Sequence, residues 1–310
     1  MMRAVVVDPE SRARLSVAEV MEPEPGLSEA LVRVAAVSLN RGEVRRAESA
    51  EAGFRPGWDL AGTVERSAAD GPGEGARVVG FLPSGAWAEL AAVPTNALAE
   101  LPEGVSFEEA ATLPVAGLTA LYALEKGGNL LGKDVLITGA SGGAGQFALQ
   151  LARMSGARVV ALVRKREHEG LVRGAGAHEV AVDESGAATE DYGPYDLILE
   201  SVGGEVLGNV LPMLAPEGTC VSFGVSGGPE VTFDARELYL TGGAALYGFI
   251  LFHEVIARPA SEGLARLVKL VDEVRLKPSI EVEAPWTDVG EVASRLIERG
   301  YTGKAVLHVG

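Results

Sequence analysis

A single cysteine, Cys220, stands in 310 residues. No internal disulfide can form, and no multi-cysteine zinc site can be built. Histidine is almost as scarce: His168, His178, His253 and His308 are the four in the chain, and none stands at metal-ligand spacing. Metal chemistry is therefore disfavoured. No apolar run approaches the roughly 18 residues of a membrane helix, and Met1–Glu10 has neither the basic nor the apolar segment of a signal peptide, so the expected location is the cytoplasm. Cations are also in deficit, 27 Lys plus Arg against 43 Asp plus Glu, a formal charge of −16. That balance repels phosphate backbones and anionic lipid, which removes nucleic acid and membrane surfaces from the expected partners and leaves small molecules.

What remains is globular. Hydrophobic residues are 47% and charged residues 23% of a chain long enough for two domains. The first hundred residues read as short strands, Arg3–Asp8, Ala30–Leu39, Asp59–Glu65, Ala76–Leu82 and Ala86–Val93, set apart by Pro and Gly turns as in a small barrel or sandwich. A helical pattern follows over Glu108–Glu125, interrupted by Pro114. After Gly132 strand and helix alternate: Asp134–Thr138, Arg158–Val163, Glu179–Val182, Tyr195–Glu200 and Thr219–Phe223 are short apolar runs, with Ala245–Leu251 a possible sixth. Such alternation implies βαβ crossovers and a parallel sheet. Glu262–Val274 and Asp288–Arg299 read as amphipathic helices, the second opened by a capping box of Asp288 with Glu291. Lys304–Val309 is a final strand.

Val135–Gln146, VLITGASGGAGQ, carries the strongest signal: an apolar strand running through glycines into a helix. A dinucleotide diphosphate needs backbone N–H groups at a helix N-terminus and neighbours small enough to let the chain approach it. Ala140, Gly142 and Gly145 occupy the three positions of G-x-G-x-x-G, with Ser141 and Gly143 between them. Two other matches fail on context. Gly127–Lys133 begins like a P-loop but runs into a strand. Tyr122 with Lys126 spells the Tyr-x-x-x-Lys pair of short-chain dehydrogenases, but it precedes the glycine turn, the reverse of that family's order. At the end of the second strand, where an NAD site presents an acid to the ribose 2′-hydroxyl, this chain has Arg164-Lys165-Arg166. A basic triplet there favours a 2′-phosphate, hence NADPH, on Arg164 and Lys165.

Together these features resemble the medium-chain dehydrogenase/reductases, in particular their zinc-free quinone oxidoreductase (zeta-crystallin-like) group. The landmarks are Val37–Glu43, Pro56–Gly62, Leu113–Ala120, the glycine turn, Tyr195–Gly204 and Thr302–Leu307. The resemblance implies an α/β fold with a GroES-like β-barrel catalytic domain over 1–113 and 252–310, and a Rossmann doubly wound parallel sheet over 114–251, with the cofactor between them. It also implies hydride transfer from NADPH to a quinone or an α,β-unsaturated carbonyl without zinc, since the zinc-bearing relatives' cysteines and histidine are absent from the matching positions. By the same resemblance Asn40 lies beside the nicotinamide, Thr119 contacts the cofactor, Gly203 and Gly224 line its cleft, and two copies pair through Ala245–Leu251. Many relatives carry an aromatic residue and an aspartate where this chain has Arg41 and Glu43. Arg41 either binds developing negative charge in the substrate or starts a helix with Arg45 and Arg46. That departure leaves a second reading, an NADPH-binding sensor or structural protein without turnover.

Overall fold

The structure, a computed structural model, describes residues 1–310. Two compact units make it up, Met1–Leu118 with Val255–Gly310, and Thr119–Glu254. These limits lie a few residues beyond the expected breaks at 113/114 and 251/252. The chain crosses at the first residue of one helix and within another.

The first unit opens with strands β1 (Met2–Val7), β2 (Leu15–Val20) and β3 (Glu29–Ser38), helix α1 (Arg41–Ser49), strands β4 (Asp59–Arg66), β5 (Arg77–Phe81), β6 (Leu90–Pro94) and β7 (Leu98–Glu100), and helix α2 (Phe107–Ala111). Ser106 caps α2, its Oγ accepting the Glu109 amide at 3.1 Å while the Glu109 carboxylate accepts the Ser106 amide. A wider turn, a π-helix over Leu113–Gly117, follows at the proline that breaks the helical pattern.

The second unit comprises α3 (Leu118–Glu125), β8 (Asp134–Ile137), α4 (Gly143–Met154), β9 (Arg158–Val163), α5 (Glu169–Gly174), β10 (Glu179–Val182), β11 (Tyr195–Glu200), α6 (Gly204–Val210), β12 (Leu214–Ser222), α7 (Ala235–Thr241), β13 (Ala245–Gly248) and the start of α8 (Leu251–Ala257). Its six strands are parallel and ordered β10-β9-β8-β11-β12-β13. This is the doubly wound order in which the chain reverses between the first and fourth strands, and ligands bind beyond the carboxyl ends at that point. Leu136, Val160, Ile198 and Cys220 form the middle of its core.

The chain then returns to the first unit as α9 (Ala260–Asp272), β14 (Ile280–Pro285), α10 (Val289–Ile297) and β15 (Lys304–His308). Here the sheet order is β14-β15-β3-β4-β5-β7, with β6 on β3, and β1 pairs with β2. Trp87 and Trp286 are wholly buried in this unit's core.

Several expected boundaries move. Ala86–Val93 is a strand only from Leu90, because Ala86–Ala88 instead meet β1: Ala88 bridges Ala4, and the Trp87 carbonyl accepts the Val5 amide. Ala245–Leu251 ends as a strand at Gly248. The capping box of Asp288 with Glu291 does not form, since Asp288 sits at φ −91°, ψ 12° and its side chain accepts no helix amide. Three strands, β2, β7 and β14, were not anticipated. No helix is long and apolar enough to cross a membrane.

Candidate functional site

In the second unit, β8 is buried at Val135, Leu136 and Ile137 and delivers the chain to a turn at Gly139, φ +57°. A side chain there would strike Ser201 Oγ on the neighbouring loop. Gly142 donates to the Gly139 carbonyl at 2.9 Å, closing the turn, and caps α4 in extended conformation. At Gly145 a Cβ would lie 2.5 Å from the Gly139 carbonyl oxygen and 2.7 Å from Ala140 Cα, so only glycine lets α4 sit this close to the turn. Ala140 is fully buried, and the Ser141 carbonyl accepts from Gln146 Nε2 at 3.0 Å. The first-turn amides of α4, from Gly143 onward, thus face outward at the topological switch point, a cradle suited to a diphosphate.

At the end of β9 the three cations separate. Lys165 Nζ pairs with Glu167 at 3.1 Å and Arg166 with Glu169 at 3.7 Å, whereas exposed Arg164 makes no ion pair. Of the two cations the sequence points to, Arg164 is thus without an ion pair and Lys165 is held in an exposed one.

The carboxyl end of β11 holds Glu200, fully buried. Its carboxylate accepts the Val202 amide at 2.7 Å, the Gly203 amide at 3.0 Å and Thr138 Oγ1 at 3.2 Å. Burial pushes its pKa up, and these donors oppose the shift. The Gly203 amide is therefore engaged by Glu200, at the carboxyl end of β11. Gly203 stands at φ +70° against the Gly228 carbonyl, and a Cβ at Gly224 would lie 2.6 Å from the Ser201 carbonyl. At both glycines the neighbouring loops pack too closely for a side chain. Thr119 lies in the first turn of α3, 7% exposed.

In the first unit a polar cluster is built under Asn40, the residue that caps α1. Asn40 Nδ2 donates to Asp59 Oδ2 at 2.7 Å and to Glu43 Oε1 at 3.0 Å, and its Oδ1 accepts from Lys304 Nζ at 2.6 Å. Lys304 also donates to the Leu39 carbonyl at 2.9 Å and lies 3.5 Å from Asp59. Asp59 further accepts from Ser38 Oγ at 2.7 Å and, through its other oxygen, from the Val115 amide at 2.9 Å, which pins the π-turn. Glu43 accepts the amides of Asn40 and Trp58 at 2.7 and 2.8 Å. Glu43, Asp59 and Lys304 are 1%, 0% and 3% exposed. Burial, with the charge of Asp59 added, pushes the Glu43 pKa well up; burial also raises that of Asp59 and lowers that of Lys304. The sequence marks Glu43 only as a departure from relatives and Lys304 only as part of the Thr302–Leu307 landmark, with no role for either. The available signal was a lysine heading an otherwise apolar strand.

Arg41 does not join this cluster. Its guanidinium donates to the Leu296 and Ile297 carbonyls at 2.7 and 3.2 Å, the last turn of α10, where carbonyls lack intrahelical donors and the helix dipole favours a cation. Of the two readings the sequence leaves open for Arg41, the structure shows the start of a helix, α1, with the guanidinium engaged at the end of α10. The Tyr122/Lys126 pair also dissolves: Tyr122 is buried, and Lys126 bonds Tyr247 at 3.0 Å and Glu254 at 2.8 Å. No group of three His, Cys, Asp or Glu side chains is arranged to hold a metal ion.

Comparison with known proteins accords with this architecture. Residues 26–103 match the alcohol dehydrogenase GroES-like domain family, and residues 143–269 match the zinc-binding dehydrogenase family. The chain is 32% identical to the chloroplastic quinone-oxidoreductase QR1 of Triphysaria versicolor, covering 99% of this chain and 98% of that protein. It is 29% identical to the 2-methylene-furan-3-one reductase of Solanum lycopersicum over 92% of this chain and 73% of that one. Among solved structures, mycobacterial Rv1454c complexed with NADPH superposes with a TM-score of 0.89 at 26% identity, covering 99% of this chain and 100% of that one. The chain belongs to the quinone oxidoreductase group of the medium-chain dehydrogenase/reductases, a family of NAD(P)-binding oxidoreductases.

Proposed function

We propose that this chain is an NADPH-dependent, zinc-independent reductase whose acceptor is a quinone or an α,β-unsaturated carbonyl. The observation that carries the reading is the glycine turn at the switch point of the second unit with unpaired Arg164 at the neighbouring strand end. The α4 amides would hold the diphosphate and Arg164 the 2′-phosphate. NADPH, when bound, supplies the hydride; an acceptor that is already electron-poor needs no Lewis acid, and water supplies the proton. Names of the relatives, a quinone oxidoreductase and an enone reductase, support the acceptor class. Asn40 is the residue placed beside the reacting atoms, on the resemblance alone.

We further propose a homodimer through β13. That strand is one of the sheet's two free edges, and Tyr239, Leu240, Leu246 and Ile250 around it are exposed, 69%, 64%, 44% and 59% respectively.

The test follows absorbance of the reduced nicotinamide with NADPH and a panel of quinones and enones, in the wild type and in Arg164→Ala. Turnover with at least one acceptor is expected, together with about tenfold or more weaker NADPH binding by the variant and unchanged NADH binding. Tight binding without oxidation across the panel would instead favour a sensor, and equal loss for both nucleotides would overturn the assignment of Arg164.

A further inference from the structure

The side-chain-to-side-chain hydrogen bonds in the cluster beneath Asn40 can be followed one by one. Lysine has three N–H donors and no acceptor, an ionised carboxylate only acceptors, and a carboxamide one of each kind. Lys304 spends its three on the Leu39 carbonyl, Asn40 Oδ1 and Asp59 Oδ2. The two Nδ2 protons of Asn40 go to Glu43 and Asp59. Turning the amide over would set N–H against ammonium and oxygen against two carboxylates, so the surroundings dictate one orientation.

We propose that Lys304, acting with Asp59 and Glu43, is a positioning residue that locks the Asn40 carboxamide with both N–H groups inward and Oδ1 as the only atom it can offer a bound molecule. Asn40 then receives a hydrogen bond from a donor, a carboxamide N–H or a hydroxyl, and gives none to a carbonyl. The three supporting side chains are buried, whereas Asn40 is only half-buried, so the lock ends at the one member that reaches the surface of its unit. This rests on the proposed reading in one respect: the bound molecule is taken to be the reacting pair.

The lock can be read without activity. The chain has four asparagines, Asn40, Asn96, Asn129 and Asn209, so selective 15N-asparagine labelling gives few side-chain amide signals, and Asn40→Ala identifies the one of interest. In the wild type the Asn40 pair is expected to exchange slowly with water. Asp59→Asn/Lys304→Met removes one negative and one positive charge together, leaving the formal charge of the cluster unchanged. Asn40 exchange should then rise at least tenfold, and with NADPH and a 1,4-naphthoquinone kcat should fall at least tenfold while the NADPH KM stays within threefold. Should that variant not fold, near-isosteric Asp59→Asn carries the same readouts. Ser38→Ala, which removes a bond to Asp59 without touching Asn40, should leave Asn40 exchange slow. Unchanged Asn40 exchange in the double variant overturns the proposal, as does unchanged kcat. A wild type that never oxidises NADPH refutes the enzymatic reading instead, and amide exchange still decides the lock.

Discussion

His178 accepts the Val159 amide at Nδ1, at 2.9 Å, which requires that nitrogen to be unprotonated. Burial, and the nearby cations Arg153 and Arg158, lower its pKa. A base with a depressed folded pKa stabilises the folded state above its unfolded value, about 6.5, and that contribution disappears as pH falls through this value and then the folded one. The midpoint of thermal unfolding is therefore expected to drop more steeply below about pH 6.5 in the wild type than in His178→Asn. Parallel pH profiles would remove His178 as the cause. Arg41 and Arg164 show why single residues resist sequence reading. Both are cations near a landmark, yet one faces the α10 carbonyls, 255 residues away in sequence, and the other has no ion pair. Partner choice at this scale is set by elements far along the chain.

Elements were far more legible, because their periodicity is local. The strand, turn and helix at Val135–Gln146 were read from apolar spacing and glycine placement, and Arg158–Val163, Glu179–Val182 and Tyr195–Glu200 coincide with β9, β10 and β11. Strands with mixed burial were not read: β2 and β14 each have a single fully buried residue, Leu15 and Val282, so neither shows a clean alternation. The cluster around Asn40 was equally hidden, since its members come from α1, the head of β4 and the head of β15 and meet only through antiparallel pairing of β3 with β4 and β15. At the turn itself the crowding around Gly145 sets an element-scale expectation. Gly145→Ala forces the added methyl group against the Gly139 carbonyl and should cost about 1–3 kcal/mol of stability in chemical denaturation, as overpacking does. Its NADPH affinity should fall as the turn opens. A fully stable variant with wild-type affinity would mean that the turn tolerates displacement of α4.

At the scale of the molecule, a charge of −16 keeps copies apart at long range, while the apolar side chains beside β13 favour contact at short range. The dimer should accordingly tighten with salt. Leu246→Glu/Ile250→Glu is expected to yield a monomer in sedimentation analysis, and a variant that remains dimeric would place the interface elsewhere.

The discontinuity of the first unit also fixes an order of events during synthesis. Thr119–Glu254 is continuous, so its parallel sheet can complete itself as soon as it leaves the ribosome. The earlier unit must wait, because β14 and β15 lie in its second segment, Val255–Gly310. Until β15 arrives, Glu43 and Asp59 lack the ammonium of Lys304, and burying two carboxylates without it is costly. Burial of that pair is therefore expected to wait on Lys304, the last of the cluster's members to be synthesised.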